Sequence, residues 1–99
     1  MKISRHANKR MKERCGLNYS SHDRVAEFVL LKGLCHKDCT GRLKKYVDYL
    51  FFSYPSGNNI RLYGDHVYIF NSTNLITILK LPNIYKNAVN KLTKRKRSL

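Results

Sequence analysis

Three side chains near the start of the sequence have the types and spacing of a phosphate-handling site. His6, Arg10 and Arg14 recur every four residues, and residues four apart lie on one face of an α-helix. On such a ridge an imidazole can accept a proton from a ribose 2′-hydroxyl while a guanidinium stabilises the charge that develops on the phosphate. The pattern is therefore compatible with metal-independent RNA cleavage. Composition and spacing alone favour the alternative, in which the arginines only hold phosphate and the histidine is an ordinary polar surface residue.

The flanking residues predict the helix that would carry this ridge. Ser4 can serve as its N-cap and Gly16 as its stop, so we expect the helix to end at about Arg14 or Cys15. An apolar stripe for packing recurs on a neighbouring face, at Ile3, Ala7 and Met11.

The remainder of the chain predicts an α+β fold, with two to three N-terminal helices packed on a three- to four-stranded antiparallel sheet. A second helix is expected after Ser20 or Ser21 and ends near Gly33, and a loop follows over 35–41. The stretch 41–54 has helical apolar spacing, although its aromatic and valine residues also favour a strand. Turn residues then separate three predicted strands at 60–63, 66–70 and 75–81.

The C-terminal part is predicted to be a basic helix or tail. A last helix is expected over 83–92, followed by the basic run Lys94–Arg97. We therefore divide the chain into a compact domain, 1–85, and a basic helix or tail, 86–99.

The charge balance points to a polyanionic partner. Twenty Lys+Arg against 6 Asp+Glu give a net charge of +14, a surplus that repels itself within a small volume and that RNA or DNA would neutralise. Residues 1–14 and residues 86–99 hold six Lys/Arg each, whereas 60–81 hold two. No run of roughly 18 apolar residues predicts a membrane helix. We expect a cytoplasmic protein without a membrane partner, in which the sheet forms the core and the chain ends contact nucleic acid.

Further side chains are candidates for contact with nucleic acid. If Val67 and Ile69 face the helices, period-two alternation places His66 and Tyr68 on the outer face of the sheet, where they can stack on bases. A half-exposed sheet face without such a role is the alternative. The complete predicted set of nucleic-acid contacts is Arg5, Lys9, Arg14, Arg42, Lys45, Arg61, His66, Lys94, Arg95, Lys96 and Arg97.

The cysteines raise the question of a metal. Cys35 and Cys39 form one closely spaced pair, whereas a structural zinc site generally uses two such pairs, so Cys15 and His22 would have to complete it. The odd number of cysteines fits a reducing compartment. The scattered acidic residues argue against a two-metal nuclease. We expect free thiols, no metal and no cofactor.

Two motifs carry a family resemblance: Ser4-x-His6-Ala7-x-x-Arg10-Met11-x-x-Arg14 and, at the end of the meander, Leu75-Ile76-Thr77-Ile78. With them, roughly residues 3–82 resemble small toxin-like proteins of the RelE/ParE-like and colicin-type ribonuclease group, of the kind found on phages and other mobile elements. The resemblance implies two N-terminal helices on an antiparallel sheet. It also implies an endoribonuclease site made by a histidine and an arginine on a helix and a polar residue on a late strand, here His6, Arg10 and Thr77.

Three functions remain open at this point. The first is a toxin-type, metal-independent endoribonuclease that acts on tRNA or mRNA through His6. The second is a binding module without catalysis, for example a phage-encoded inhibitor that occupies the guide RNA of a host ribonucleoprotein such as a CRISPR effector. The third is an interaction protein for an acidic protein partner. Loss of cleavage in His6→Ala would favour the first function, and a steep fall of RNA binding with salt would favour the second.

Overall fold

The computed structural model describes residues 2–98, in which four α-helices surround a three-stranded antiparallel sheet. Helices α1 (Arg5–Cys15), α2 (Tyr19–Lys32) and α3 (Gly41–Ser53) precede the sheet, and a short 3-10 helix (His36–Asp38) links α2 to α3. The strands are β1 (Asn59–Tyr63), β2 (His66–Asn71) and β3 (Asn74–Lys80), and helix α4 (Asn83–Ser98) ends the chain. The predicted α+β class, with N-terminal helices, an antiparallel sheet and a basic C-terminal helix, is confirmed.

Several element boundaries differ from those predicted. Helix α2 begins after Asn18 rather than after Ser20 or Ser21. The stretch from Gly41 is a helix, because Leu43, Val47 and Leu50 share one buried face at helical spacing. Helix α4 includes the basic run that was predicted to follow it, and it spans the predicted boundary between residues 85 and 86. None of the helices within residues 2–98 combines the length and the apolar character that crossing a membrane requires.

Helix α1 is attached to the sheet at its N-cap residue, Ser4. The Ser4 hydroxyl accepts a hydrogen bond from the Ala7 amide at 3.0 Å and donates one to the Ile76 carbonyl at 3.0 Å. The Ser4 amide also donates to the Leu75 carbonyl. One residue therefore caps α1 and fixes it against the edge strand β3, while Ala7 and Met11 are fully buried beneath the helix.

Both faces of the sheet are covered by helices. On one face Tyr68 and Phe70 of β2 pack with apolar residues of α1 and α2. On the other face Val67 and Ile69 pack with α3 and with Val89 of α4. The prediction that Tyr68 lies on a solvent-exposed face of β2 is therefore wrong, since Tyr68 is 4 % exposed and Phe70, on the same face, is fully buried. An alternating strand predicts only that neighbouring side chains point to opposite faces, not that one face is left to solvent.

A tight turn at Gly64 and Asp65 joins β1 to β2. Tyr63 pairs with His66 across it, and Gly64 has a φ of +59°, which matches a turn with glycine at its first central position. Lys80 at the end of β3 pairs with His66 from the other side. The amide of Leu81 donates to the Asp65 carbonyl, so the chain leaves the sheet beside this turn. The turn therefore lies next to the segment that leads into α4 at Asn83.

The double role of Ser4 can be tested by Ser4→Ala. We expect a loss of about 1 kcal/mol from the missing cap, or a fall in melting temperature of roughly 4–8 °C for a domain of this size. Ser20→Ala is the matched control, because Ser20 is exposed within α2. Thermal unfolding followed by circular dichroism provides the measurement, and equal melting temperatures for the two variants would contradict the role given to Ser4.

Candidate nucleic-acid interface

The ridge predicted on α1 forms, but part of its charge is neutralised. His6 is exposed, and the Arg10 Nε donates to its Nε2 at 3.5 Å. Arg10 also lies 3.6 Å from a carboxylate oxygen of Glu13, and Lys9 lies 3.9 Å from the same side chain. The stretch of α1 from Lys9 to Glu13 is thus a mixed charged surface, and Arg5 is exposed at the start of the helix.

Thr77 does not join His6 and Arg10. It pairs with Ile69 across β2 and β3, and directly paired residues place their side chains on the same face of a sheet. Ile69 belongs to the face that α3 and α4 cover, whereas α1 lies on the opposite face. The predicted grouping of His6, Arg10 and Thr77 into one site is therefore corrected by the register of β3.

The Arg61 side chain is hydrogen-bonded to backbone carbonyl groups within the protein. Its Nε donates to the Leu30 carbonyl at 3.0 Å and a terminal nitrogen donates to the Ile60 carbonyl at 3.1 Å. Leu30 lies in the last turn of α2, where carbonyl groups lack partners within the helix and a cation is favourable. Arg61 therefore fastens α2 to β1, and the nucleic-acid contact predicted for it is not supported by this geometry.

The structure assembles a different group of cations around the β1–β2 turn. Arg14 from the end of α1, Lys80 from β3 and Lys86 from α4 line one cavity of about 580 Å³ together with His66 and Asp65. Lys94 and Arg97 of α4 line a neighbouring cavity of about 290 Å³ on the other side of Gly64. We call this group the hairpin-end surface, and its members are Arg14, His66, Lys80, Lys86, Lys94 and Arg97.

Helix α4 supplies half of the hairpin-end surface because its basic residues recur at helical spacing. Lys86, Asn90, Lys94 and Arg97 follow one another at intervals of four, four and three residues, which places them on one side of the helix. Val89 is fully buried and holds the helix against the core. The basic residues of α4 are therefore held by a packed helix rather than by a free tail.

His66 lines the first cavity together with three cations and Asp65. Burial of the imidazole lowers the pKa of His66 below its ordinary value of 6.5, and the charges of Arg14 and Lys80 act in the same direction. The Asp65 carboxylate and a hydrogen bond to the backbone of Arg14 oppose this change. The Tyr68 ring lies against the imidazole, with 6.5 Å between the ring centres. His66 is thus a half-buried imidazole, favoured in its neutral form and surrounded by cations.

Lys96 is engaged within the protein, unlike its exposed neighbour Arg95. Its Nζ lies 2.7 Å from an Asp38 oxygen and donates to the Gly33 carbonyl at 3.0 Å. Partial burial raises the pKa of Asp38, but hydrogen bonds from Lys96 and from the Cys35 amide and thiol outweigh it and bring that pKa down to about 2. Lys96 therefore ties α4 to the loop after α2, and its predicted role in binding phosphate is not supported by these contacts.

Arg42 and Lys45 are exposed in the first two turns of α3. They lie on a helix that covers the face of the sheet opposite to α1. They line neither of the two cavities that make up the hairpin-end surface. Their predicted contact with nucleic acid stays a prediction.

The cysteines and buried histidine do not form a metal site. No group of three or more metal-ligating side chains is present among residues 2–98. Cys15 lies 3.8 Å from the Tyr68 hydroxyl, Cys35 bonds to Asp38, and His22 lies between Asn8 and the Leu17 carbonyl. Burial raises the pKa of Cys39 to about 11, which leaves this thiol unreactive.

The sequence analysis does not identify two residues of the hairpin-end surface, Lys86 and Lys80. The basic run after Leu92 is typical of a tail, and only helical spacing extended backwards from Arg97 leads to Lys86. Lys80 is the last residue of a strand, and only its pairing with His66 brings it to the turn. Arg14, His66, Lys94 and Arg97 were predicted from the sequence.

Comparison with known protein families, with curated protein sequences and with solved structures finds no match. The resemblance to toxin-type ribonucleases is thus neither supported nor opposed by these comparisons. The function proposed below rests on the geometry of the chain itself.

The Asp38–Lys96 ion pair gives a testable pH dependence. Because the pKa of Asp38 is lowered from 3.8 to about 2, the unfolded chain binds a proton at higher pH than the folded protein. The contribution of the Asp38 carboxylate to stability is therefore complete above about pH 4 and is lost as the pH falls towards 2. Urea unfolding of Asp38→Asn at pH 5 and pH 2.5 should show a smaller loss of stability on acidification than the wild type.

The exposed Asp23 of α2 supplies the control for this measurement, as Asp23→Asn removes the same charge. We expect this variant to lose stability between the two pH values as the wild type does. An Asp38→Asn variant with the same loss as the wild type would show that the ion pair does not couple stability to pH.

Proposed function

We propose that this protein binds RNA, and that the hairpin-end surface holds the phosphates. The observation that supports this most directly is the convergence of five cations and one half-buried histidine, from α1, the strands and α4, on a single turn. Among the described residues that line the two cavities, Asp65 is the one acidic side chain, and Lys86 faces it at 4.0 Å. The local charge is therefore strongly positive even after that pair is counted.

The shape of the surface favours a flexible strand over a flat protein partner. Its cations lie in two adjacent concavities separated by the turn, so successive phosphates of a bent strand can occupy them in order. An acidic protein partner would have to insert separate carboxylates into each. Exposed RNA within a ribonucleoprotein offers the same phosphates, so such an assembly is a target that this proposal includes.

Repulsion between the positive charges of the free protein supports the same conclusion. A net charge of +14 on 99 residues produces repulsion that a bound polyanion would relieve, with release of the counterions from the RNA. We therefore expect the melting temperature to rise when RNA is added, because a ligand that binds only the folded state stabilises it.

Cleavage of the bound RNA is a second candidate function, and the position of His66 favours it. A neutral His66 can remove the proton from a ribose 2′-hydroxyl, whose oxygen then attacks the adjacent phosphorus. The bond to the 5′ oxygen breaks, that oxygen takes a proton from water, and the products are a 2′,3′-cyclic phosphate and a 5′-hydroxyl. Arg14 and Lys80 stand where they can stabilise the charge on the phosphate. This arrangement moves the proposed base from His6 to His66.

Phosphate binding can be tested with two matched triple variants. Arg14→Ala, Lys86→Ala and Lys94→Ala remove three charges from the hairpin-end surface, while Lys2→Ala, Arg5→Ala and Lys9→Ala remove the same residue types near the start of α1. Anisotropy of a labelled 12-nucleotide RNA, titrated at several salt concentrations, measures affinity. The first variant should lower the slope of log K against log salt by about 2, because each phosphate contact on a single strand contributes about 0.7.

The second triple variant is expected to keep the slope of the wild type. A lower slope in this variant, with no change in the first, would place the phosphates along the start of α1 and would contradict the proposed surface. Single-stranded DNA of the same sequence, run in parallel, separates RNA selectivity from general phosphate binding.

Catalysis is tested by incubating labelled RNA with His66→Ala and His6→Ala in the presence of EDTA. If the protein cleaves RNA, we expect His66→Ala to abolish the fragments and His6→Ala to retain them. The wild-type rate should increase with pH, with its half-maximal point below pH 6.5, because the pKa of His66 is lowered and the base acts when neutral. Fragments lost only in His6→Ala would restore the α1 site, and intact RNA throughout would leave binding as the function.

A further inference from the structure

A groove lies between α2 and α4, next to the hairpin-end surface. Tyr63 of β1 lies between the two helices, which contribute both apolar and cationic side chains, and the groove encloses about 590 Å³. That volume is within the range of about 300–1,000 Å³ found for ligand pockets. We call it the α2–α4 groove, and its lining residues are Phe28, Leu31, Lys32, Tyr63, Thr93, Lys96 and Arg97.

The two aromatic residues of the groove pack against each other, and Phe28 remains open to solvent. Phe28 packs edge-to-face on Tyr63, with 5.2 Å between ring centres and 81° between ring planes. Phe28 is nevertheless 43 % exposed, and Leu31 beside it is 75 % exposed. The Tyr63 hydroxyl accepts a hydrogen bond from Arg97 at 3.3 Å. A planar ligand would therefore meet an aromatic surface with a guanidinium next to it.

The charges of the groove select among possible occupants. Lys96 is paired with Asp38, but Lys32 and Arg97 add positive charge to the rim of the groove. An apolar peptide or a second copy of this basic chain would cover Leu31 and leave these cations facing an uncharged or a positive partner. An anionic ligand with a flat ring satisfies both features, and a nucleotide has both.

The groove is also continuous with the surface proposed to hold phosphates. Tyr63, Thr93 and Arg97 line both the groove and the cavity that contains Lys94. A strand whose phosphate lies between Lys94 and Arg97 can therefore turn its base into the groove. Only an unpaired base can do so, because the faces of a paired base are covered by its neighbours in the duplex.

We propose that the α2–α4 groove is a subsite for one unpaired base of the bound RNA, stacked on Phe28, and that it makes the protein selective for single strands. This inference rests on the proposed function, since the phosphates are held by the hairpin-end surface. The cations bind the phosphates of single-stranded and duplex RNA alike, and the stacked base makes binding to the single strand tighter.

A tryptophan in the groove reports on the stacking directly. The chain contains seven tyrosines and no tryptophan, so Phe28→Trp introduces a single tryptophan, whose fluorescence can be excited selectively over that of tyrosine. A 12-nucleotide single-stranded RNA should quench its fluorescence, while a 12-base-pair duplex should not. Phe52→Trp is the matched control, because Phe52 is 87 % exposed on α3 and outside the groove, and its fluorescence should stay unchanged.

Phe28→Ala measures the contribution to affinity. Loss of one stacked base weakens binding by about 5- to 150-fold, so we expect a fall in single-strand affinity of that size with the same salt slope as the wild type. Duplex affinity should not change, and Phe28→Tyr should restore most of the loss. An equal loss for single strand and duplex would overturn the stacking role.

The remaining outcomes distinguish a failure of the base subsite from a failure of the proposed RNA binding. Anisotropy that shows RNA binding by Phe28→Trp, without quenching, would overturn the subsite and leave phosphate binding intact. Absence of any RNA binding by the wild type would overturn both. Fluorescence of Phe28→Trp that changes with protein concentration alone would show that a second copy fills the groove, and the base assignment would fail.

Discussion

Burial of β2 on both faces is the constraint on which the rest of this structure depends. Tyr68 and Phe70 point to one side and Val67 and Ile69 to the other, and all four are buried. A strand of this kind needs helices on both faces, and the chain provides α1 and α2 on one side and α3 and α4 on the other. With both faces covered, the accessible charge lies on the outer faces of the helices and at the ends of the sheet.

The position of the cations follows from that arrangement. Helix α1 packs along β3 and places Arg14 at the β1–β2 turn. Strand β3 contributes Lys80 there, and α4 contributes Lys86, Lys94 and Arg97. Cations gathered in this way repel one another and cost stability in the free protein. The packed core, fixed at Ser4, Arg61 and the Asp38–Lys96 pair, holds them together. Under the proposed function, bound phosphates would offset this repulsion.

Local patterns were sufficient to predict the elements and part of the site. The cap at Ser4, the stop at Gly16 and the glycine-containing turn at Gly64 are chemical signals within a few residues, and they predicted α1 and the β1–β2 hairpin. The orientation of Tyr68 and of Thr77 was beyond such signals, because it depends on which helices cover each face and on the register between β2 and β3. Arg61 shows the same limit, since a lone cation in a strand does not reveal the helix carbonyl groups that will bind it.

The proposed function places RNA at the β1–β2 turn and at the side of α4 that faces it. Mapping by two-dimensional ¹⁵N–¹H NMR, with a 12-nucleotide single-stranded RNA titrated into the labelled protein at moderate salt, tests this contact without mutation. We expect the largest amide shifts at Arg14, residues 63–66, Lys80 and residues 86–97. Shifts concentrated instead at residues 2–10 of α1, or on α3, with the turn unchanged, would contradict it.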